Sequence, residues 1–385
     1  MFENPDGQVR PDRIIARSEA GGKVSHGPAS GPGPGDDQFS KGGWAAGRPP
    51  MICRRAVLAL AVNAGLALGA GLTAPVLAAP MQAAPQAVVE TPIPGFPHAV
   101  LYSLPGEAAR PVVVILAGAD GGDEGGKRFG PILARMGYAT VSLPYYSPNW
   151  GEYAPPPQYP DLPGSFIDIR IDQIGELREA LRAFPAADVE RFGLFGASKG
   201  SEFALIAASR YPWIDAVVAY TPSDLVWEGW GLEMVEAEGT RSSFSFEGRP
   251  LAFMPYRGFV EGLMAGPGKA DLRAIHENGR ADHPEREAAA RIPVEQYPGA
   301  LMLIAGGRDA QWNSTRQAAD IVAARERAGL KTEALIYPEA GHDLVGGDGG
   351  LRSDPRSGGT PEANAAARLD AWPRITAFLA TALRP

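Results

Sequence analysis

Three polar side chains far apart in the chain, Ser198, Asp309 and His342, are of the types that together carry out acyl transfer. A serine hydroxyl is a poor nucleophile until a base takes its proton. Histidine serves as that base when a carboxylate accepts its second N–H, which fixes the tautomer and stabilises the imidazolium. Ser198 sits in Gly196-Ala197-Ser198-Lys199-Gly200, a G-x-S-x-G spacing. Its glycines let backbone pass closely on both sides of the serine. Asp309 ends Ile304-Ala305-Gly306-Gly307-Arg308-Asp309, an apolar run followed by a glycine turn. His342 ends Tyr337-Pro338-Glu339-Ala340-Gly341-His342, just beyond another apolar run.

The competing residues read differently. Of five histidines, His26 lies in a segment without a globular pattern, and His98 precedes an edge strand. His276 and His283 stand amid Glu277, Arg280 and Glu285 and are expected in solvent. Asp224, after an earlier strand, is a reserve candidate for the acid; Asp343 reads as a loop-tip carboxylate in water. Acyl transfer also needs donors for the developing oxyanion. The backbone N–H of Lys199 is one candidate, and Ala119, or else Asp120, in Ala117-Gly118-Ala119-Asp120-Gly121-Gly122 supplies the second. That glycine loop lacks the Gly-Lys-Ser/Thr ending of a nucleotide-phosphate cradle. Lys199 and Glu202, three residues apart, read as a modest surface pair. Tyr146 with Tyr145, Trp227 and Trp312 are placed at the substrate pocket, and no His/Asp/Glu cluster has metal-ligand spacing.

The elements that must position these groups alternate. Arg191–Phe195 is a short apolar strand ahead of the serine, and Ser201–Ser209 a helix after it. Strand, G-x-S-x-G, helix is the nucleophile elbow of α/β-hydrolases, whose triad runs in the chain order Ser, acid, His. Further strands are expected at 98–102, 112–116, 139–143, 216–220, 300–304 and 332–337, with helices at 127–136, 172–184, 314–328 and 361–382. Continuous β-branched runs such as Val112–Leu116 suit strands covered on both faces. The alternation predicts a mostly parallel sheet with helices on both faces. The rhythm breaks over about 223–297, rich in Trp, Phe and Tyr, which reads as a cap insertion over the site.

The 385 residues, 45% of them hydrophobic, hold ample core, and a net charge of −8 opposes a nucleic-acid footprint. One cysteine, Cys53, leaves no intramolecular disulfide. Residues 1–50 are rich in Gly, Pro, Ser and charge and read as disordered, with Met51 as the true start. Arg54-Arg55, an apolar run to Leu72 and Val76-Leu77-Ala78 resemble a twin-arginine-like signal over 51–79 with cleavage before Ala79. The expected location is therefore exported, periplasmic, with a membrane anchor through 56–79 as the alternative. Residues 80–94 read as a linker, and 95–385 as the catalytic domain.

Four stretches carry a closer resemblance. Gly196-Ala197-Ser198-Lys199-Gly200-Ser201-Glu202, Ile292-Pro293-Val294-Glu295, Asp309 with Trp312 and Ser314, and Tyr337–His342 resemble the C-terminal domain shared by acyl-CoA thioester hydrolases and bile acid-CoA:amino acid N-acyltransferases. The resemblance spans roughly residues 95–384. It implies a Ser/Cys-Asp-His triad falling on Ser198, Asp309 and His342, with serine as in the hydrolytic members and no cofactor. Eukaryotic members carry an N-terminal β-sandwich that residues 80–110 are too few to hold, and an export signal fits poorly with an acyl-CoA substrate. The expected function is a serine hydrolase cleaving thioesters or esters through an acyl-enzyme. The alternatives are an exported carboxylesterase or lactonase unrelated to CoA, and a non-catalytic α/β-hydrolase-fold binding protein.

Overall fold

A computed structural model describes residues 87–106, 108–151, 156–232, 240–265, 269–352 and 354–384. Residues 1–50, the stretch 51–79 expected to be a signal, and the first part of the expected linker lie outside them. Eight strands form the main sheet in the order β1 (Val89–Pro92), β2 (Val100–Ser103), β4 (Ala139–Ser142), β3 (Arg110–Leu116), β6 (Ala187–Ala197), β7 (Ala216–Tyr220), β10 (Ala300–Gly306) and β11 (Glu333–Tyr337). β2 runs antiparallel to β1 and to β4, and every other pairing is parallel. This is the α/β-hydrolase arrangement, as the alternating pattern implied. One boundary needs correcting: β1 falls inside the stretch read as a linker over 80–94. Its four residues pair with β2 from Val89↔Ser103 to Pro92↔Val100, so the fold begins before residue 95.

Both faces of the sheet are covered, which is why its central strands lack polar alternation. Val112, Val114, Leu194, Val217, Leu301 and Leu303 point to one side. There they meet α2 (Gln173–Leu181), α3 (Lys199–Arg210) and α7 (Ser314–Arg327). Val113, Ile115, Phe195, Val218, Met302 and Ile304 point to the other, against α1 (Glu124–Arg135) and α8 (Pro361–Ala382). Gly137, at φ 98°, ends the first turn beyond α1, a left-handed position that a side chain would strain.

Between β7 and β10 the described residues form a separate layer. It holds β8 (Phe244–Phe246), β9 (Arg249–Pro250), α4 (Phe259–Met264), α5 (Leu272–Asp282) and α6 (Glu287–Ala290). β8 pairs with β5 (Ile169–Arg170), so the layer also recruits chain from between β4 and α2. Its aromatics divide between two clusters. Trp230, Phe244 and Phe166 join the main apolar cluster, whereas Trp227, Met254 and Trp312 form a small cluster of their own. Among the described residues no helix is long and apolar enough to cross a membrane.

Candidate active site

Ser198 stands at the junction of β6 and α3 with φ 55° and ψ −122°, a backbone conformation that L-residues avoid. Such a residue costs of the order of 1–3 kcal/mol and persists because its surroundings over-determine it. Here the Ser198 N–H donates to the Tyr220 carbonyl at 3.0 Å, and the Ser201 hydroxyl donates to the Ser198 carbonyl at 2.7 Å. The glycines have a steric reason as well. A Cβ on Gly196 would run into the carbonyl of Gly200, and one on Gly200 into the carbonyls of Leu116 and Ala117.

Asp309 follows β10 and is wholly buried. Its carboxylate accepts from the backbone N–H of Gln311 at 2.9 Å and of Trp312 at 3.3 Å. His342, in the loop beyond β11, places Nδ1 2.9 Å from both carboxylate oxygens. A carboxylate only accepts, so Nδ1 carries the proton and Nε2 is left as a base. The fold thus brings together the aspartate and histidine singled out from chain order. Ser198 leaves the carboxyl edge of β6, the same edge from which Asp309 and His342 rise, since β6, β7, β10 and β11 are consecutive and parallel.

The reserve acid is committed elsewhere. Asp224 accepts from Arg280 at 3.0 Å through each oxygen and from Arg291 at 3.2 Å, a buried ion cluster beneath α5. Asp343 is not a free loop-tip carboxylate either; it pairs with Arg352 and with fully buried Arg368, each at 3.0 Å. The pairing rather than water sets its place, because Arg368 needs an acceptor once it is desolvated.

The glycine loop after β3 lies beside the serine: a Cβ on Gly118 would lie 3.4 Å from that of Ser198. Ala119 and Asp120 stand exposed at its tip. The Tyr145 hydroxyl holds the loop from below, donating to Ala117 O at 2.6 Å with Gly118 O at 3.1 Å. Tyr146, Trp227 and Trp312, assigned to the pocket from sequence, are buried to within 2%. The indoles donate inward, Trp227 to Ser223 Oγ at 2.9 Å and Trp312 to the Thr221 carbonyl at 3.1 Å.

Two expectations fail here. Lys199 and Glu202 are not a surface pair: their side chains are 3% and 0% exposed, with Nζ 2.7 Å from Oε2. The signal lay in Phe203–Ala208, an unbroken apolar run that leaves α3 no solvent face. His276 is not solvated. It is buried against Trp227, Tyr256 and Trp312 with ring centroids 4.6, 5.0 and 5.4 Å away. Burial pushes its imidazole down to about 4, opposed by the Nδ1 hydrogen bond to the Leu272 carbonyl. His283, by contrast, is exposed, near Glu285. Sequence reading also missed Arg273, whose Nη1 donates to the Asp309 carbonyl at 2.8 Å and ties α5 to the acid turn. Among the described residues no group of three His, Cys, Asp or Glu side chains is placed to hold a metal ion.

Residues 176–345 match the family described as BAAT / acyl-CoA thioester hydrolase C terminal. Acyl-coenzyme A thioesterase 1 of Rattus norvegicus is 27% identical over 291 residues, covering 73% of this chain and 62% of its own. Acyl-coenzyme A amino acid N-acyltransferase 2 of the same species is 25% identical over 291 residues, 72% of this chain and 62% of its own. The chain therefore spans about six-tenths of the length of these relatives. Among solved structures, the acylaminoacyl peptidase of Pyrococcus horikoshii is similar at 16% identity and a TM-score of 0.45, covering 74% of this chain and 39% of that one. The family match runs from α2 to the loop after His342 and includes all three candidate triad residues.

Proposed function

We propose that this protein is a serine hydrolase of acyl thioesters or esters working through an acyl-enzyme. The observation that carries the reading is the His342–Asp309 pair at 2.9 Å, set on the same sheet edge as a serine with φ 55°. In the proposed cycle His342 Nε2 takes the Ser198 proton as Oγ attacks the carbonyl carbon. Asp309 stabilises the imidazolium without accepting its proton. The imidazolium then protonates the departing thiol or alcohol. Water, activated by the same nitrogen, attacks the acyl-serine and releases the acid. The Lys199 N–H, at the first position of α3, has no carbonyl four residues back within the helix and is free to receive the oxyanion. The loop at Ala119 supplies the second donor.

Thioester substrates are favoured by the names of the relatives, acyl-coenzyme A thioesterases and an acyl-coenzyme A amino acid N-acyltransferase. The export-like signal around Arg54-Arg55 instead favours a simple ester outside the cytoplasm. The experiment is a panel of acyl-CoAs and nitrophenyl esters run with wild type and Ser198→Ala, alongside fluorophosphonate labelling. Labelling at Ser198 and its loss with turnover in the variant are expected. A folded wild type that neither labels nor turns over any member would overturn the reading and leave a binding protein. A mature N-terminus at Ala79 in periplasmic material would support export, and an intact start there would oppose it.

A further inference from the structure

Lys199 reaches away from the serine it follows. Its ammonium lies 2.7 Å from Glu202 Oε2 and donates to Ser243 Oγ at 2.8 Å. The rings of Phe166, Phe244 and Trp230 surround it, with centroids at 5.2, 5.1 and 5.5 Å. Ser243 passes the interaction on, donating to the Glu228 carbonyl at 2.8 Å. Glu202 reaches the same layer by its other oxygen, accepting the Trp227 N–H at 3.0 Å. Two residues of α3, one turn apart, therefore hold the insert between β7 and β10 at two places, Ser243 and Trp227.

This arrangement is an expensive way to fill space. A cation in the first turn of a helix opposes the helix dipole. Desolvating an ion pair often costs as much as the pair returns, so apolar residues of similar volume would serve stability as well. What an apolar side chain would not supply is direction: an ammonium that donates to Ser243 Oγ and lies 2.7 Å from the Glu202 carboxylate sets the position of the residue that bears it.

We propose that Lys199 and Glu202 are positioning residues that fix the Lys199 backbone N–H, and the strained turn before it, against the docked insert. This rests on reading Ser198 as the nucleophile and the Lys199 N–H as an oxyanion donor. The pair does not touch substrate. It couples the insert to transition-state stabilisation, so the site is complete only with the insert seated.

The test is the double variant Lys199→Met/Glu202→Gln, which leaves no unpaired buried charge and keeps an acceptor for the Trp227 N–H. Thermal melting near that of wild type is expected, with kcat down roughly 10- to 100-fold, the scale of a small misplacement at a reacting centre, and KM within about threefold. Fluorophosphonate labelling of Ser198 slows in parallel. Ser243→Ala, which removes one partner from the insert and spares the ion pair, lowers kcat several-fold at constant KM. Should the double variant prove unfolded, this arm decides alone. A folded double variant with kcat within twofold of wild type, or a change confined to KM, would overturn the proposal, as would an unchanged Ser243→Ala. Failure of the underlying reading looks different: wild type itself would not label.

Discussion

At the residue scale, the decisive feature is how Asp309 is held. A carboxylate with no exposure that accepts two backbone N–H groups as well as His342 cannot swing away to solvent. Asp309→Asn should preserve packing but donate towards Nδ1, turning the imidazole to the wrong tautomer. Loss of about 10⁴ in kcat is expected, the size of that change in serine proteases. Steady-state rates on a nitrophenyl ester, with circular dichroism to show an intact fold, check it. Gly200 offers a second prediction at this scale. Its missing Cβ makes room for two carbonyls of the β3 edge. Gly200→Ala should destabilise by about 1–3 kcal/mol or more, because backbone on both sides must give. A urea midpoint unchanged from wild type would contradict this.

At the scale of elements, α5 ties together several parts of the molecule. Arg273 binds the acid turn, Glu277 accepts from Asn313 at the start of α7, and Arg280 is buried in the Asp224 cluster. Removing Asp224 would not strand Arg280, which keeps Glu287 at 2.8 Å and Asp320 at 3.2 Å, so the cost is that of lost buried hydrogen bonds, about 1–3 kcal/mol, rather than of an unpaired charge. Asp224→Ala should therefore lower stability by that order while leaving kcat, measured well below the melting point, within a few-fold of wild type. Equal collapse of kcat at full folding would return Asp224 to the acid role. The stretch 223–297 was legible as an interruption, because its Gly, Pro, charge and aromatics break the β-α rhythm. Its attachment was not, since pairing of β8 with β5 joins Ile169 to Phe244, 75 positions apart.

At the scale of the whole molecule, buried His276 links stability to pH. Its folded-state pKa of about 4 lies below the ordinary 6.5. Between those values the unfolded chain binds a proton that the folded one excludes, so stability rises with pH across the window. The contribution is complete above about 6.5, falls as pH drops towards 4, and is level below that. Its ceiling is about 3 kcal/mol. The stability difference between wild type and His276→Asn should shrink by that order from pH 6.5 to 4, read by denaturant titration at each pH. A difference independent of pH would mean the imidazole charges freely in the fold.

The sequence by itself determined the sheet and the strand-to-helix turn at Ser198, and it singled out Asp309 and His342, which the fold brings into contact. Strands covered on both faces must be continuously apolar, a tight strand-to-helix turn must have glycine where backbone meets backbone, and chain order narrows the partners of Ser198 to two positions. Those are local requirements, and local composition records them. Only the tertiary structure decided which polar groups were buried. Lys199 and Glu202 look like any exposed i, i+3 pair, and His276 like any histidine among charges. Their character comes from Phe166, Trp230, Phe244, Trp227 and Trp312, brought around them from other parts of the chain. Burial depends on what long-range packing brings together, so a sequence window around such a residue does not contain it.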